Sequence, residues 1–221
     1  MSYSAPDTNI LIFEIVGGNS DQVEDAGDYF DLIKADDRTG LVLEEVDREF
    51  KRVIQKRISE LRPYALKAKK HSSWEKAEDF TPDNEYADNF AEALRERCSP
   101  ENGLSKLSRW KRSIFASFQR LKNKMKIDDE RDLNPEKVSE IKDEIPDKNN
   151  HEPEEEKKTD ARIIYSTFLC SKEYRKNTTL VSDDYHILET DFTEIEEILD
   201  FDDSTEIVSS NTPSGYAESV A

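Results

Sequence analysis

The chain of 221 residues has few cysteines, few glycines and no long apolar stretch. Its two cysteines, Cys98 and Cys170, lie far apart, which excludes a disulfide framework and a four-cysteine zinc site. No apolar run approaches the roughly 20 residues of a membrane-spanning helix, and no hydrophobic stretch follows Met1 as in a signal peptide. These absences predict an intracellular protein without a transmembrane segment, in the cytoplasm or the nucleus.

The patterns typical of enzymes and metal centres are also missing. The three histidines have no HExxH-type spacing and do not combine with the cysteines at a metal-ligand interval. Gly17-Gly18 belongs to no phosphate-binding glycine motif, and there is no GxSxG nucleophile elbow. Carboxylates on solvated surfaces do not by themselves make an acid–base pair. The sequence therefore predicts no catalytic residue, no metal site and no cofactor, and hence a protein that is not an enzyme.

What the chain has in abundance is charge. Charged residues make up 37% of it and hydrophobic residues only 35%, against roughly 25% and 45–50% in compact domains. Fifty acids and 32 bases give a net charge of −18. Residues 102–127 contain eight bases and no acid, whereas residues 177–221 contain twelve acids and no lysine or arginine. Such a chain is not expected to bury enough apolar surface along its whole length to fold throughout.

Apolar periodicity puts the predicted order in the first 127 residues. The β-branched run at 9–16 predicts a buried strand. Apolar residues that recur every three or four positions predict three helices, from about Thr39 to Pro63, from Thr81 to Cys98, and from Leu104 to Ile127. We therefore predict a mainly α protein: a small N-terminal helical module with one β-strand, followed by a largely disordered acidic C-terminal half.

Four segments follow from this division. The helical module covers residues 8–127 and ends in a basic amphipathic helix. Residues 128–160 are charged and contain three prolines, which predicts a disordered linker. Residues 161–176 begin with an apolar run and are predicted to dock on the module as an island. Residues 177–221 are the predicted acidic disordered tail, which contains short linear motifs.

The first of these motifs is Ser-Asp-Asp-Tyr-His-Ile-Leu at residues 182–188. An aromatic residue, two spacers and an aliphatic residue, preceded by acids, resemble the motif by which cargo receptors bind ubiquitin-like autophagy modifiers. The resemblance implies a segment that adds to its partner as an edge strand. Tyr185 and Leu188 would then fill two pockets, while Asp183 and Asp184 would meet basic residues of the partner.

A second part of the tail, residues 191–203, combines acids with regularly spaced apolar residues. It resembles an acidic transcriptional activation segment, in which hydrophobic anchors enter a groove of the partner. Residues 198–202 also resemble a clathrin-box peptide. Alternatively, the segment is a helix that packs on its own domain or on the basic helix. The predicted anchors are Phe192, Ile195, Ile198, Leu199 and Phe201.

The basic amphipathic helix carries a binding hypothesis of its own. The spacing of its apolar residues is similar to that of calmodulin-target helices and of helices that lie on anionic membranes. Burial of the same stripe in the core is the alternative. Nucleic acid is the weaker expectation, because a net charge of −18 repels phosphate backbones. The residues singled out are Trp110 as interfacial anchor, Arg112, Ile114, Phe118, Leu121, Lys122 and Lys124.

These segments together predict a non-enzymatic adaptor or regulatory protein. Its acidic tail would recruit a protein partner, and its helical module would bind cargo, a membrane or another protein. The alternative is a transcriptional regulator whose basic helices contact nucleic acid and whose residues 191–203 form the activation segment. Lys142, within an Ile-Lys-Asp-Glu tetrapeptide, is in addition a candidate for sumoylation.

Overall fold

A small parallel sheet, surrounded by helices, organises the chain. The computed structural model describes residues 2–17, 20–35, 39–80, 85–128, 131–146, 154–201 and 208–220. The strands of these residues are β1 (Tyr3–Pro6), β2 (Thr39–Val42), β3 (Lys126–Ile127), β4 (Thr178–Val181) and β5 (Val208–Asn211). They lie in the order β3-β2-β1-β4-β5, and each neighbouring pair is parallel.

The described residues are mostly helical. Because parallel strands need crossover connections, helices lie between them and cover the sheet. The helices are α1 (Thr8–Ile15), α2 (Ser20–Ala35), α3 (Glu44–His71), α4 (Glu85–Arg97), α5 (Gly103–Lys122), α6 (Pro135–Glu144), α7 (Glu154–Tyr174), α8 (Tyr185–Leu188), α9 (Phe192–Leu199) and α10 (Pro213–Val220). Two 3₁₀ helices, Glu75–Phe80 and Pro100–Asn102, flank α4.

The prediction of a helical module with a disordered acidic half is wrong. Beyond residue 128, the described residues form helices α6 to α10 and strands β4 and β5. Their apolar side chains, among them Ile141, Phe168 and Ile195, are buried in the same core as those of the N-terminal helices. The composition was misleading because an average over a segment does not show that its few apolar residues lie on inward faces.

The run predicted to be a buried strand is helix α1. The strand lies just before it, at residues 3–6, and Asp7 caps the helix by accepting the backbone N–H of Thr8 at 2.6 Å. The side chains from Ile10 to Phe13 are all buried, so the helix is apolar on nearly every face. A buried helix and a buried strand give the same continuous apolar run, which periodicity alone does not distinguish.

The observed ends of the first and third predicted helices also differ from the predicted ones. Helix α3 does not end at Pro63 but continues to His71, because Tyr64, Ala65 and Ala68 are buried beyond the proline and stabilise the last turns. The third predicted helix ends at Lys122, and its last residues become strand β3 beside β2. The predicted start of the second helix at Thr81 lies outside the described residues.

Helix α5 packs its apolar stripe against α3. Phe118 lies 4.1 Å from Phe50, measured between ring centroids. The ammonium of Lys122 is buried in this contact and donates to Asp47 Oδ1 at 2.5 Å. Burial opposes ionisation of Asp47, but hydrogen bonds from Lys122 and Lys51 outweigh it and lower the pKa of the carboxyl. The ion pair thus joins the two longest elements of the predicted module.

The acidic amphipathic segment folds back onto the protein as α9. Asp191 caps it by accepting the N–H of Thr193 at 2.9 Å. Ile195 is fully buried, and Phe192 and Phe201 pack around Phe168 of α7, with ring centroids 5.8 and 5.1 Å away. The segment therefore contributes to the core of this chain.

Replacing Ile195 with alanine should destabilise the whole protein by about 2–5 kcal/mol, because the change leaves a cavity in a shared core. The free energy of unfolding in urea measures the effect. The matched control is Glu197→Ala on the exposed face of the same helix, which should change stability by less than about 0.5 kcal/mol. Equal, negligible effects of both changes would mean that α9 does not pack on the core.

Candidate functional site

The strand order creates a crevice at one edge of the sheet. From β1 the chain continues through β2 and β3 on one side, while β4 and β5 lie on the other side. The connections therefore diverge between β1 and β4, and open parallel sheets bind ligands beyond the carboxyl ends of the strands at such a point. In this chain the two strands end at Pro6 and Val181.

Asp7 occupies this point directly after β1. Its backbone N–H donates to the carbonyl of Val181 at 2.8 Å, which continues the β1–β4 pairing by one residue. The residue is 4% exposed, and its carboxylate accepts the Thr8 N–H at 2.6 Å and the Ser182 hydroxyl at 2.9 Å. Hydrogen bonds from both strand ends thus hold the carboxyl group at the crevice.

Helix α3 brings a second carboxylate to the same place. The hydroxyl of Thr8 donates to Glu49 Oε2 at 2.7 Å, which connects the start of α1 with α3. One face of α3 carries four charged residues, because successive members are three or four residues apart or adjacent. They are Glu49, Arg52, Lys56 and Arg57. All four side chains line the crevice.

Helix α7 and the segment after β4 complete the crevice. Glu156 and Asp160 are four residues apart on α7 and therefore lie on one face. Asp184 follows β4 and caps α8 by accepting the N–H of His186 at 2.9 Å. The cavity has a volume of about 320 Å³. Its lining consists of Asp7, Thr8, Asn9, Ile12, Glu49, Arg52, Val53, Lys56, Arg57, Phe90, Glu156, Asp160 and Asp184. We call it the carboxylate crevice after its five acids.

Confinement of these acids changes their protonation. Burial, with the neighbouring charge of Glu49 as the next contribution, raises the pKa of Asp7 to about 7. Burial also raises the pKa of Glu49, and the charge of Glu156 adds to this rise. Ionisation of Asp7 and Glu49 is therefore disfavoured, mainly by burial, and a proton or a bound cation would relieve this cost.

The chain matches no protein-family model, no curated protein and no solved structure. Within the described ranges, no helix is both long and apolar enough to cross a membrane. The chemistry of the crevice is therefore the basis on which a function can be proposed.

Carboxylate oxygens are the ligands that Mg²⁺ and Mn²⁺ prefer. In the described part of the chain, no three His, Cys, Asp or Glu side chains already stand in a metal-holding group. The five acids instead surround the cavity from α3, α7 and the two strand ends.

The structure separates the residues of the motif at 182–188. Tyr185 is 40% exposed, Leu188 is half-buried, and Asp183 accepts a hydrogen bond from Gln22 at 3.3 Å on the surface. Asp184 does not lie with them on the surface but faces the crevice. The motif thus supplies one residue to the crevice and one exposed aromatic side chain.

The basic helix presents its charges but not its apolar stripe. Trp110, Ile114, Phe118, Leu121 and Lys122 are buried, whereas Arg112 and Lys124 are exposed. Binding of this stripe to calmodulin or to a membrane would require α5 to leave the core. Lys142 lies on α6, and its ammonium contacts Glu154 at 2.7 Å.

Four of the five crevice acids were not among the sequence-predicted site residues: Asp7, Glu49, Glu156 and Asp160. They come from three separate parts of the chain, and only the fold brings them together. One signal was available, because Asp7 and Asp184 each follow a short extended segment, and the carboxyl ends of parallel strands share one edge. The assignment of residues 9–16 to a strand hid it.

The stability of the Asp7→Asn variant, compared with that of wild type at the same pH, should increase as the pH rises from about 5 to about 8. The folded carboxyl, with a pKa of about 7, retains a proton that the unfolded chain releases near pH 3.9. Wild type therefore loses stability between about pH 4 and about pH 7, by at most about 1.4 kcal/mol per pH unit. Asparagine does not ionise, so the variant lacks this loss.

Urea unfolding of both proteins in a metal chelator, at several pH values, measures this difference. Asp132→Asn is the control, because Asp132 is exposed and outside the crevice. A stability difference between wild type and Asp7→Asn that stays constant with pH would contradict the raised pKa.

Proposed function

We propose that the protein is a divalent-metal-dependent nuclease whose active site is the carboxylate crevice. The observation that carries the proposal is a cavity at the point where the sheet connections diverge, which Asp7, Glu49, Asp160 and Asp184 line from four different segments. Hydrolysis of a phosphodiester by water would give a phosphomonoester and an alcohol. The proposal replaces our sequence-based expectation of a protein without catalytic activity or a metal.

Several acids around one cavity favour a metal over simple acid–base catalysis. Burial, followed by repulsion from Glu49, disfavours the charged form of Asp7 and raises the pKa of its carboxyl. A cation bound between the acids would turn this repulsion into attraction, and Mg²⁺ is commonly held by a few carboxylates together with substrate phosphates. Asp7 and Glu49 are fixed by hydrogen bonds from Thr8, so their positions do not depend on a ligand.

The lining supports hydrolysis by water and not by a protein nucleophile. The described residues that line the cavity include no serine, cysteine or histidine, and the hydroxyl of Thr8 among them is directed to Glu49. Metals bound by carboxylates generate a nucleophile from water and stabilise the charge of the leaving oxygen. The chain's own acids would hold those ions and accept the proton that the attacking water loses.

An anionic substrate is favoured by the cations of the same cavity. Arg52, Lys56 and Arg57 line it beside the acids. Acids that bind metal ions next to bases that bind phosphate oxygens are the two components that phosphoryl transfer requires. A phosphate ester would contact both the metal ions and these bases.

The wild-type protein should bind Mn²⁺ and cleave a labelled single-stranded oligonucleotide in Mg²⁺ or Mn²⁺ but not in excess chelator. Asp184→Asn should lower the cleavage rate by at least about a hundredfold, because loss of a metal ligand is expected to cost more than loss of an outer-shell partner. Asparagine still caps a helix, so α8 should be retained. Calorimetry measures the metal affinity, and gel electrophoresis measures cleavage.

Asp132→Asn is the matched control, since it removes one exposed carboxylate outside the crevice. It should keep both metal binding and cleavage. Cleavage by Asp184→Asn at the wild-type rate, or by wild type in chelator, would point to a contaminating nuclease and contradict the proposal. Single-stranded RNA, single-stranded DNA and duplexes should be compared, because the crevice acids do not select among them.

The adaptor hypothesis remains a second proposal, favoured by the exposure of Tyr185. The alternative of a transcriptional regulator has less support, because the anchors of its activation segment are packed in the core. If the motif at 182–188 recruits a ubiquitin-like autophagy modifier, Tyr185→Ala should abolish binding of that modifier, measured by calorimetry. Glu189→Ala, at an exposed position beyond the motif, should leave binding unchanged. Equal affinities of the two variants would exclude this motif as the binding site.

A further inference from the structure

We infer that the exposed face of helix α5 is a docking surface for the phosphate backbone of a nucleic acid duplex. The inference goes beyond the proposed function and does not depend on it. Among the described residues that line the carboxylate crevice, none belongs to α5. Docking on this face and catalysis in the crevice can therefore be tested separately.

The eight bases of residues 102–127 fall into two groups in the structure. Three of them contact other side chains of the chain: Lys122 in its ion pair with Asp47, and Lys111 and Lys126 over aromatic rings. The other five are exposed, and we call them the basic face. They are Lys106, Arg109, Arg112, Arg120 and Lys124.

The basic face forms a row along one side of α5. At 3.6 residues per turn, its four helical members fall within about a third of the circumference of the helix. Lys124 continues the row from the turn after the helix. The row from Lys106 to Lys124 is about 27 Å long at the rise of a helix. Since phosphates of one strand are about 3.4 Å apart along a duplex axis, this length corresponds to about eight base pairs.

The cations of the basic face are not neutralised by the protein. Within the described ranges, none of the five forms an ion pair. Helix α3 differs, because four of its bases each pair with an acid three or four residues away. These pairs are Arg48–Glu44, Lys51–Asp47, Arg52–Glu49 and Arg57–Glu60. Residues 102–127 contain no acid that could form such a pair within α5. The basic face therefore has positive charge available for an external polyanion.

The remaining residues of this face favour a duplex over other polyanions. Apart from the cations, the exposed positions of α5 are serines, Ala116 and Gln119. Its aromatic and aliphatic residues from leucine upward in size are buried or packed against the core. A helix that lies on a membrane inserts an apolar face, and proteins that bind single strands stack bases on aromatic rings. Contacts from cations to backbone phosphates alone are typical of sequence-independent duplex binding.

The net charge of −18 opposes this binding mainly at long range. Salt screens charges over roughly 10 Å at 0.1 M, so a phosphate in contact with the basic face responds mostly to the nearest groups. Glu14 of α1 lines a cavity with Arg120 and Lys124, and the two cations outnumber it. We expect a dissociation constant of about 1–100 µM, the range of non-specific binding.

Fluorescence anisotropy of the whole protein with a labelled duplex of about 20 base pairs measures binding. A chelator is present, so that metal in the crevice plays no part. The double variant Arg112→Gln/Arg120→Gln should weaken binding at least about tenfold at about 0.1 M salt, because each lost phosphate contact removes its released counterions. The slope of log affinity against log salt should fall in magnitude by about two.

Two further double variants separate the basic face from net charge and from folding. Lys158→Gln/Lys172→Gln removes the same charge from exposed positions of α7, and should bind the duplex like wild type. Arg112→Lys/Arg120→Lys keeps the charge on the basic face and should keep most of the affinity, because lysine also binds phosphate as a point charge. Glutamine and lysine are both good helix formers, so α5 should be retained.

Absence of duplex binding by wild type at about 0.05 M salt, or equal losses in both glutamine variants, would refute the inference. Binding to vesicles with about 30% phosphatidylserine, without binding to the duplex, would assign the face to a membrane and also refute it. Duplex binding that depends on Arg112 and Arg120, by a protein that cleaves no nucleic acid, would support the inference and refute the nuclease alone. Cleavage of nucleic acid at the same rate and duplex affinity by wild type and Arg112→Gln/Arg120→Gln would refute the inference alone.

Discussion

The burial of Asp7 between the ends of β1 and β4 is the constraint on which the crevice depends. Its backbone extends the pairing of the two strands, and its carboxylate receives hydrogen bonds from both. The same contacts that close the sheet edge therefore place a carboxyl group where Glu49 and Asp184 also lie. Any change that frees Asp7 would also alter the geometry of the strand ends.

Such an arrangement is costly for the folded state. Burial of acids near each other disfavours their charged forms, and the raised pKa values of Asp7 and Glu49 are the result. Part of this cost has a structural return, because Asp7 caps α1 and accepts the Ser182 hydroxyl. Strongly perturbed groups in a cleft are typical of functional sites. The metal binding that we propose would make use of this concentrated negative charge.

The sequence predicts the amphipathic helices better than the sheet. Helices α3 and α5 have long, regular apolar stripes, and both were expected, although the predicted start of α3 at Thr39 lies in β2 and its predicted end at Pro63 comes before the observed end at His71. The strands β4 and β5 have four residues each, with the sequences TTLV and VSSN. TTLV has strand-forming residues and VSSN is polar, but four residues are too few to show an alternation, so both are strands mainly because they pair with neighbours that are distant in sequence.

The site was still harder to predict, because its chemistry depends on proximity. Glu49 lies early in a helix whose surface is rich in charges, and nothing in its neighbourhood distinguishes it from Glu44 or Asp47. Asp47, two residues earlier, faces α5 and pairs with Lys122, whereas Glu49 faces Thr8 and the crevice. Only the position of the helix relative to β1 decides which acid is part of an ion pair and which is part of the site.

The net charge of the chain does not show how its acids and bases are arranged locally. Averages over long segments suggested an acidic tail and a basic helix that would act on partners through their net charge. In the folded chain, acids of the sheet edge and of α7 lie opposite bases of α3 within one cavity. Coulomb interactions weaken with distance and are screened by salt over roughly 10 Å, so a ligand in the crevice responds to these few groups more than to the distant surface. A strongly acidic protein can therefore bind an anion, provided that metal ions and nearby cations outweigh the repulsion at that one place.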